Sequence, residues 1–165
     1  MWIRANLVLG ASGQTTFHGT SKGLSSRFDR ARFHEIRAQS QAIVIGGETA
    51  RREPYAKTPV RLIILSNSGD IPEAVRTNPL AEVWELSPVL AIALLRNQGV
   101  ERILVEAGKS MLFEMSKAGL LDGIYLTQTT SEIGENPLDI EWLTRDMEMV
   151  SAEDSDGESF IFYSK

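Results

Sequence analysis

Three groups of small or polar residues follow apolar runs, and their composition suits the binding of phosphate. They are Gly46-Gly47, Ser66-Asn67-Ser68 and Ala107-Gly108. Glycine lets a ligand approach the backbone, and free amides at the start of a following helix attract anions. Side-chain hydroxyls and amides can hydrogen-bond a phosphate without a full charge. Because ligands of doubly wound sheets bind outside the carboxyl ends of the strands, the three groups together predict one crevice for a phosphate-bearing ligand.

Glu106 is the sharpest candidate for chemistry, because it ends the apolar run Ile103–Val105. A carboxylate that closes a buried strand must find hydrogen-bond donors or stay protonated, since burying a bare charge is costly. It could hydrogen-bond a substrate amide or help to relay a proton. It could equally accept amides from the start of the next helix. The residues alone leave both interpretations open.

A locally basic stretch precedes the first of these glycine groups. Its cations include Lys22, Arg27, Arg30 and Arg37. They could bind a small anion such as a substrate phosphate, or they could be ordinary solvated charges. The two histidines, His18 and His34, have no partners at metal-ligand spacing, so no metal site is predicted.

Strand and helix signals alternate along the chain and predict an α/β fold. Strands are expected over Trp2–Leu9, Ala42–Ile45, Val60–Leu65, Glu82–Leu86, Ile103–Val105 and Gly123–Thr130. Helices are expected over Leu24–Ala38 with Ser25 or Ser26 as the N-cap, from Ser87-Pro88 to Gly99, and over Ser110–Ala118. Two further strands, Met147–Ala152 and Ser159–Tyr163, flank an acidic turn. The fold class is therefore a mostly parallel central sheet flanked by helices, with an antiparallel C-terminal edge.

Composition limits the partners that such a domain could have. The 165 residues suit one domain, and the net charge of −5 argues against nucleic acid as the main partner. No apolar run approaches the roughly 20 residues that span a bilayer, so no membrane partner is expected. The absence of cysteine and of a recognisable leader is consistent with a cytoplasmic protein that acts on a small molecule.

Several motifs resemble a known family. The segments Ile43–Thr49 and Arg61–Ser68 resemble the cofactor half of the dihydrofolate reductase fold, and Ile124–Thr129 resembles the strand after its second glycine turn. The closer match is to the C-terminal reductase domain of riboflavin biosynthesis. That match depends on Arg37-Ala38-x-x-x-Ala42, Gly46-x-x-Thr49, Glu106-Ala107-Gly108 and Leu120-x-Asp122. The resemblance runs from about Ile3 to Glu135.

The resemblance implies one dihydrofolate-reductase-like domain over residues 1–165, without a deaminase domain, that reduces a ribosylamino-pyrimidine phosphate with NADPH. The implied cofactor-binding residues are Gly46, Gly47, Thr49, Ser66, Asn67, Ser68, Gly108, Lys109 and Ser110. The implied substrate-binding residues are Asn6, Lys22 and Arg37. Family members often pair, so a homodimer is expected, and the almost wholly apolar helix around Val89–Arg96 could form the contact or simply pack on the sheet.

The chain also departs from the family pattern after its first strand. The usual Ser-Leu-Asp-Gly-Lys is replaced by Gly10–Gln14, so Ser12 stands in place of the acid and Gln14 in place of the base. Ser12 and Glu106 are therefore the catalytic candidates. One alternative is a non-catalytic NADP-binding or assembly subunit. Another is a pterin reductase, which the position of Asp29 beside Arg30 disfavours.

Overall fold

The computed structural model describes residues 1–165 and contains an eight-stranded sheet and a two-stranded sheet. The strands are β1 (Trp2–Leu9), β2 (Gln14–Thr16), β3 (Ala42–Gly46), β4 (Arg61–Leu65), β5 (Ala81–Trp84), β6 (Arg102–Val105), β7 (Gly123–Gln128), β8 (Glu135–Pro137), β9 (Glu148–Ser155) and β10 (Glu158–Ser164). The large sheet has the order β5-β4-β3-β6-β1-β7-β10-β9, and β2 pairs with β8 in the small one. All pairings from β5 to β7 are parallel, whereas β10 is antiparallel to both β7 and β9. The predicted fold class is confirmed.

Six helices connect or cover these strands. They are α1 (Arg27–Gln39), α2 (Gly47–Arg52), α3 (Glu73–Arg76), α4 (Pro88–Asn97), α5 (Lys109–Lys117) and α6 (Ile140–Thr144), and a 3-10 turn spans Ser21–Gly23. None of them is both long and apolar enough to cross a membrane.

The central strands are buried on both faces of the sheet, as their continuous apolar sequence predicts. In β3, Val44 packs into the larger hydrophobic cluster, whereas Ile43 and Ile45 pack into a second cluster on the opposite face. Both clusters therefore depend on the same strand. The parallel register also brings the carboxyl ends of β3, β4 and β6 to one edge of the sheet.

Several predicted boundaries differ from the structure by one to three residues. Helix α1 begins at Arg27 rather than at Leu24, because the side chain of Ser26 accepts the amides of Phe28 and Asp29 and caps the helix there. The C-terminal hairpin is longer than predicted, since Asp156 and Gly157 both adopt positive φ and turn the chain within two residues. The short elements β2, β8, α3 and α6 were not predicted.

Helix α4 has both buried and exposed apolar residues. Ala91, Ile92 and Leu95 are buried in the molecule, whereas Val89 and Leu90 are exposed. Ser87 caps the helix and Gly99, at a φ of 80°, follows its end, as predicted. Burial inside the molecule explains why one side of the helix is apolar, but it does not explain the exposed apolar residues on the other side. The homodimer stays a prediction.

Candidate active site

A cleft of about 1210 Å³ opens at the edge of the sheet where the central parallel strands end. Most of the residues that the sequence singled out line it, including the turns after β3 and β6. The predicted cofactor-binding residues in its lining are Gly46, Gly47, Thr49, Asn67, Gly108, Lys109 and Ser110. Ser66 and Ser68 lie beside Asn67 in the turn after β4, just outside this lining. The structure therefore collects the three small-residue groups at one end of the molecule.

The glycines leave the backbone open at two of these turns. A Cβ atom at Gly108 would meet nothing within 4 Å, and one at Gly46 would come no nearer than 3.9 Å to the Met111 sulfur. Gly47 is different, because a Cβ there would lie 2.8 Å from the Ser66 hydroxyl oxygen. Gly47 thus lets α2 pack against the turn after β4, while Gly46 and Gly108 let a ligand approach the main chain.

Helix α5 begins at the rim of the cleft with free amide groups. Its N-cap is Gly108, and no side chain caps the helix. The first amides of a helix have no partner within the helix and favour an anion at this end. The adjacent Lys109 ammonium donates to the carbonyl of Pro137 at 2.9 Å, which ties α5 to β8.

Glu106 is buried at the floor of the cleft, and both of its carboxylate oxygens are occupied. Arg37 binds them in a bidentate ion pair, with Nε at 2.8 Å from Oε1 and an Nη nitrogen at 2.6 Å from Oε2. The Tyr55 hydroxyl also donates to Oε2, at 2.7 Å. Arg37, Tyr55 and Glu106 are exposed by only 7%, 4% and 5%. The carboxylate therefore joins α1, the segment after α2 and the end of β6.

The electrostatics of this buried triad follow from its contacts. Burial alone would lower the pKa of Arg37, but the hydrogen bond and the charge of Glu106 outweigh burial and raise it. Burial, followed by the negative charge of Glu106, raises the pKa of the Tyr55 hydroxyl well above its ordinary value. Arg37 is also stacked over the ring of Phe33, with the guanidinium carbon 4.0 Å from the ring centre.

Amide and basic side chains also line the cleft. Asn6 on β1 lines its wall, and Lys22 lies at the rim in the 3-10 turn. A carboxylate oxygen of Glu53 accepts the Ser21 amide at 2.6 Å and so holds this turn against the segment after α2. Of the three predicted substrate-binding residues, Asn6 and Lys22 are open to the cleft, whereas Arg37 is engaged by Glu106.

The structure does not bring Ser12 into the cleft. Ser12 lies in an exposed turn, where its amide donates to the side-chain oxygen of Gln14 at 2.9 Å. Gln14 is itself buried, and its side-chain nitrogen donates to the carbonyl of Glu132 at 3.1 Å. The residues that replace the family's acid and base therefore brace the loop between β1 and β2.

Sequence reasoning missed Tyr55, which lines the cleft and binds Glu106. Tyr55 follows a proline in a segment that has neither helical nor strand periodicity, so nothing in its neighbourhood marked it. It lies 51 residues from its partner along the chain. Only the known fold could have placed the two side chains together.

Comparison with known families agrees with this geometry. The family model described as the RibD C-terminal domain matches residues 2–140. The chain belongs to this family. Among curated proteins, it is similar to the chloroplastic riboflavin biosynthesis protein PYRR of Arabidopsis thaliana, with 28% identity over 109 residues. That match covers 59% of the chain but only 17% of the plant protein.

Solved structures show the same fold as this RibD C-terminal domain. A pyrimidine reductase-like protein from Corynebacterium diphtheriae superposes with a TM-score of 0.79 at 19% identity, covering 99% of this chain and 91% of that one. A deaminase and 5-amino-6-(5-phosphoribosylamino)uracil reductase from Thermotoga maritima superposes with a TM-score of 0.74 at 17% identity. The chain covers 56% of that second protein. Family and fold thus resemble the reductases of riboflavin biosynthesis.

Proposed function

We propose that the protein is an NADPH-dependent reductase of a pyrimidine that bears a phosphorylated ribosylamino group. The observation that carries this proposal is the cleft whose lining combines small-residue turns with amide and basic side chains. Membership of the RibD C-terminal domain family supports the same class of reaction. The substrate of the Thermotoga maritima relative supplies the specific candidate.

The residues of the cofactor end fit a dinucleotide. Gly46 and Gly108 leave space for a ligand at the main chain, and the uncapped start of α5 offers amides to a pyrophosphate. Asn67 and its neighbouring serines would contact the adenosine half. When bound, NADPH would supply a hydride for the substrate, and the protein would align the two and exclude water.

Within this proposal, Glu106 acts as a positioning residue. Its oxygens already accept three hydrogen bonds, from Arg37 and Tyr55, so it holds the Ala107-Gly108 turn at the floor of the cleft. Asn6 would bind the pyrimidine, and Lys22 at the rim would bind the substrate phosphate. The reaction would need no metal.

A specific observation favours a second candidate, a dinucleotide-binding subunit without reductase activity. The Ser12 amide donates to the Gln14 side chain and Gln14 donates to the carbonyl of Glu132, and neither Ser12 nor Gln14 lines the cleft. The substrate end therefore lacks an acid and a base at the positions where relatives have them. Such a subunit would still bind the dinucleotide but would not reduce a substrate.

The two candidates can be separated by measuring binding and turnover in turn. NADPH is titrated against tryptophan fluorescence, and 5-amino-6-(5-phosphoribosylamino)uracil is then added while the absorbance of the reduced nicotinamide is followed. The reductase proposal expects saturable binding and a loss of absorbance that depends on the substrate. Binding without turnover would favour the second candidate. If neither NADPH nor NADH binds, both candidates fail.

A steric variant tests the position of the cofactor. Gly108 has an ordinary φ of −70° and free space around its Cβ position, so Gly108→Phe should fold while filling part of the cleft. We expect its NADPH affinity to fall at least about tenfold, which corresponds to roughly 1.4 kcal/mol. Gly108→Ala is the matched control and should lose much less. If Gly108→Phe and Gly108→Ala bind NADPH with equal affinity, the cofactor does not bind beside Gly108.

A further inference from the structure

One face of the large sheet has aromatic side chains that belong to neither hydrophobic cluster. In β10, Ile161 and Tyr163 pack against the larger cluster, whereas Phe160 and Phe162 are in neither cluster. Because side chains alternate along a strand, these two phenylalanines share the opposite face of the sheet. Tyr125 of β7 pairs directly with Phe162 in the sheet, and their rings stack with centres 4.7 Å apart. The half-buried rings of Tyr125, Phe160 and Phe162 therefore form one surface, the aromatic face.

Two arginines lie on the aromatic face. The guanidinium carbon of Arg4, on β1, is 4.8 Å from the centre of the Phe162 ring, and one of its Nη nitrogens donates to the Tyr125 hydroxyl. Arg32 of α1 lies over the Phe160 ring, with its guanidinium carbon 5.0 Å from the ring centre. Arg4 forms no ion pair with a carboxylate of its own chain, and its buried Nε has no hydrogen-bond partner. Cation–π attraction thus holds a guanidinium whose charge no carboxylate of the chain neutralises.

The opposite border of the aromatic face is acidic. In the sheet, β7 and β10 lie between β1 and β9. One row of directly paired residues crosses these four strands, namely Arg4, Gly123, Ser164 and Glu148. Glu148 is exposed and forms no ion pair. The face therefore has a positive charge on its β1 border and a negative charge on its β9 border, at the same level along the strands.

A second copy of the chain matches both borders. A 180° rotation about an axis that lies in the face and runs along the strands turns the face onto its own copy. It places β9 of each copy over β1 of the other and keeps the level along the strands, so Glu148 of each copy lies over Arg4 of the other. Such a contact is isologous and forms the same ion pair twice. A rotation about an axis across the strands would instead place the acidic β9 over itself.

We propose that the protein forms a two-fold dimer through the aromatic face, with Arg4 of each copy paired with Glu148 of the other. Aromatic side chains and arginine are the residue types that protein interfaces favour, and two sheets pack face to face in aligned orientation at about 10 Å. The dimer is independent of the proposed reductase function. It assigns the contact to the sheet rather than to the exposed apolar residues of α4.

Sedimentation velocity at a series of protein concentrations measures this association. We expect the wild-type protein to reach twice the 18.3 kDa mass of the chain as its concentration rises. Arg4→Glu and Glu148→Arg should each raise the dissociation constant of the dimer about 100-fold, because each substitution places like charges together twice in one contact. Circular dichroism checks that both variants fold. Arg4→Gln, which should weaken the dimer about tenfold, replaces Arg4→Glu if the reversed charge prevents folding.

A mixture of the two variants tests the pairing itself. Equal amounts of Arg4→Glu and Glu148→Arg should form a heterodimer with nearly wild-type affinity, because opposite charges meet again in both ion pairs. A chain that carries both substitutions should dimerise with itself for the same reason. Asp154→Arg is the matched control on β9. Asp154 pairs with Ser159, which alternates with Phe160, so it lies on the other face of the sheet and its reversal should leave the dimer intact.

Three results would overturn the proposal. The first is a wild-type protein that stays monomeric at every concentration. The second is a dimer that Glu148→Arg leaves intact and Leu90→Glu disrupts, since Leu90 is 58% exposed on α4 and the contact would then be formed by that helix. The third is a pair of variants that each weaken the dimer but do not restore it when they are mixed.

Discussion

At the scale of single residues, Glu106 has hydrogen-bond donors that neither interpretation of the sequence named. The spacing of Arg37, Tyr55 and Glu106 along the chain has no regularity, and the three are brought together only by the topology of the sheet. A carboxylate with both oxygens bound to a guanidinium and a phenol is held in place. The sequence could predict that Glu106 needs donors, but not which residues provide them.

The same pairing chemistry occurs at the surface, which gives a direct comparison. Glu106→Ala should lower the free energy of unfolding by about 3–5 kcal/mol, because it leaves the Arg37 charge buried and unpaired. Arg61 and Glu82 form a similar bidentate pair at the surface, with side chains exposed by 29% and 44%. Glu82→Ala should therefore cost less than about 1 kcal/mol. Urea unfolding of both variants measures the difference, and equal losses would contradict a structural role for the buried pair.

At the scale of elements, local capping and periodicity predicted the strands and long helices well. Ser87-Pro88 and Gly99 bound α4 as expected, and β1 has the predicted ends. The pairing of β2 with β8 could not be predicted, because three-residue strands have too few residues to show a period. That pairing also depends on Asn136 and Gly134 at positive φ, a backbone conformation that the surrounding sequence does not specify.

The two N-caps should differ in strength. Ser26 accepts two amides at 3.1 Å and donates to a carboxylate oxygen of Glu158 at 2.6 Å, whereas Ser87 accepts one amide at 3.4 Å. Ser26→Ala should therefore lower the free energy of unfolding by about 1–2 kcal/mol, and Ser87→Ala by about 0.5 kcal/mol. Chemical denaturation measures both losses. A larger loss for Ser87→Ala than for Ser26→Ala would contradict this ranking of the two caps.

At the scale of the whole molecule, the eight-stranded sheet contributes residues to both hydrophobic clusters and to the cleft. Alternate residues of β3 enter opposite hydrophobic clusters, and the carboxyl end of the same strand leads into the cofactor end of the cleft. The alternation of strands and helices predicted this edge and the three turns on it. The substrate end was less predictable, because it depends on loops and on long-range contacts such as that of Tyr55 with Glu106.

Tyr55 also links the stability of the whole molecule to pH. Its pKa is raised in the folded protein, so the unfolded chain releases the tyrosine proton first, from about pH 10. Stability from this group is thus complete below about pH 10 and is lost as the pH rises toward the higher folded value, by up to about 1.4 kcal/mol per unit. Urea midpoints from pH 8 to 11 should fall less in Tyr55→Phe than in the wild-type protein. Tyr163→Phe, at a half-buried position, is the control and should follow the wild-type curve.

The exposed outer strand β9 has a further consequence, for self-association. All eight of its residues are exposed, and its outward backbone groups could template a strand from another molecule. Glu148, Glu153 and Asp154 place negative charge along this edge, and a bulge interrupts its pairing with β10 between Phe162 and Tyr163. If β9 of a second copy paired antiparallel with this strand, the acidic side chains of the two strands would lie close together. The bulge would also make the hydrogen bonding between the strands irregular. The hairpin thus protects the long edge of the sheet from fibrillar stacking.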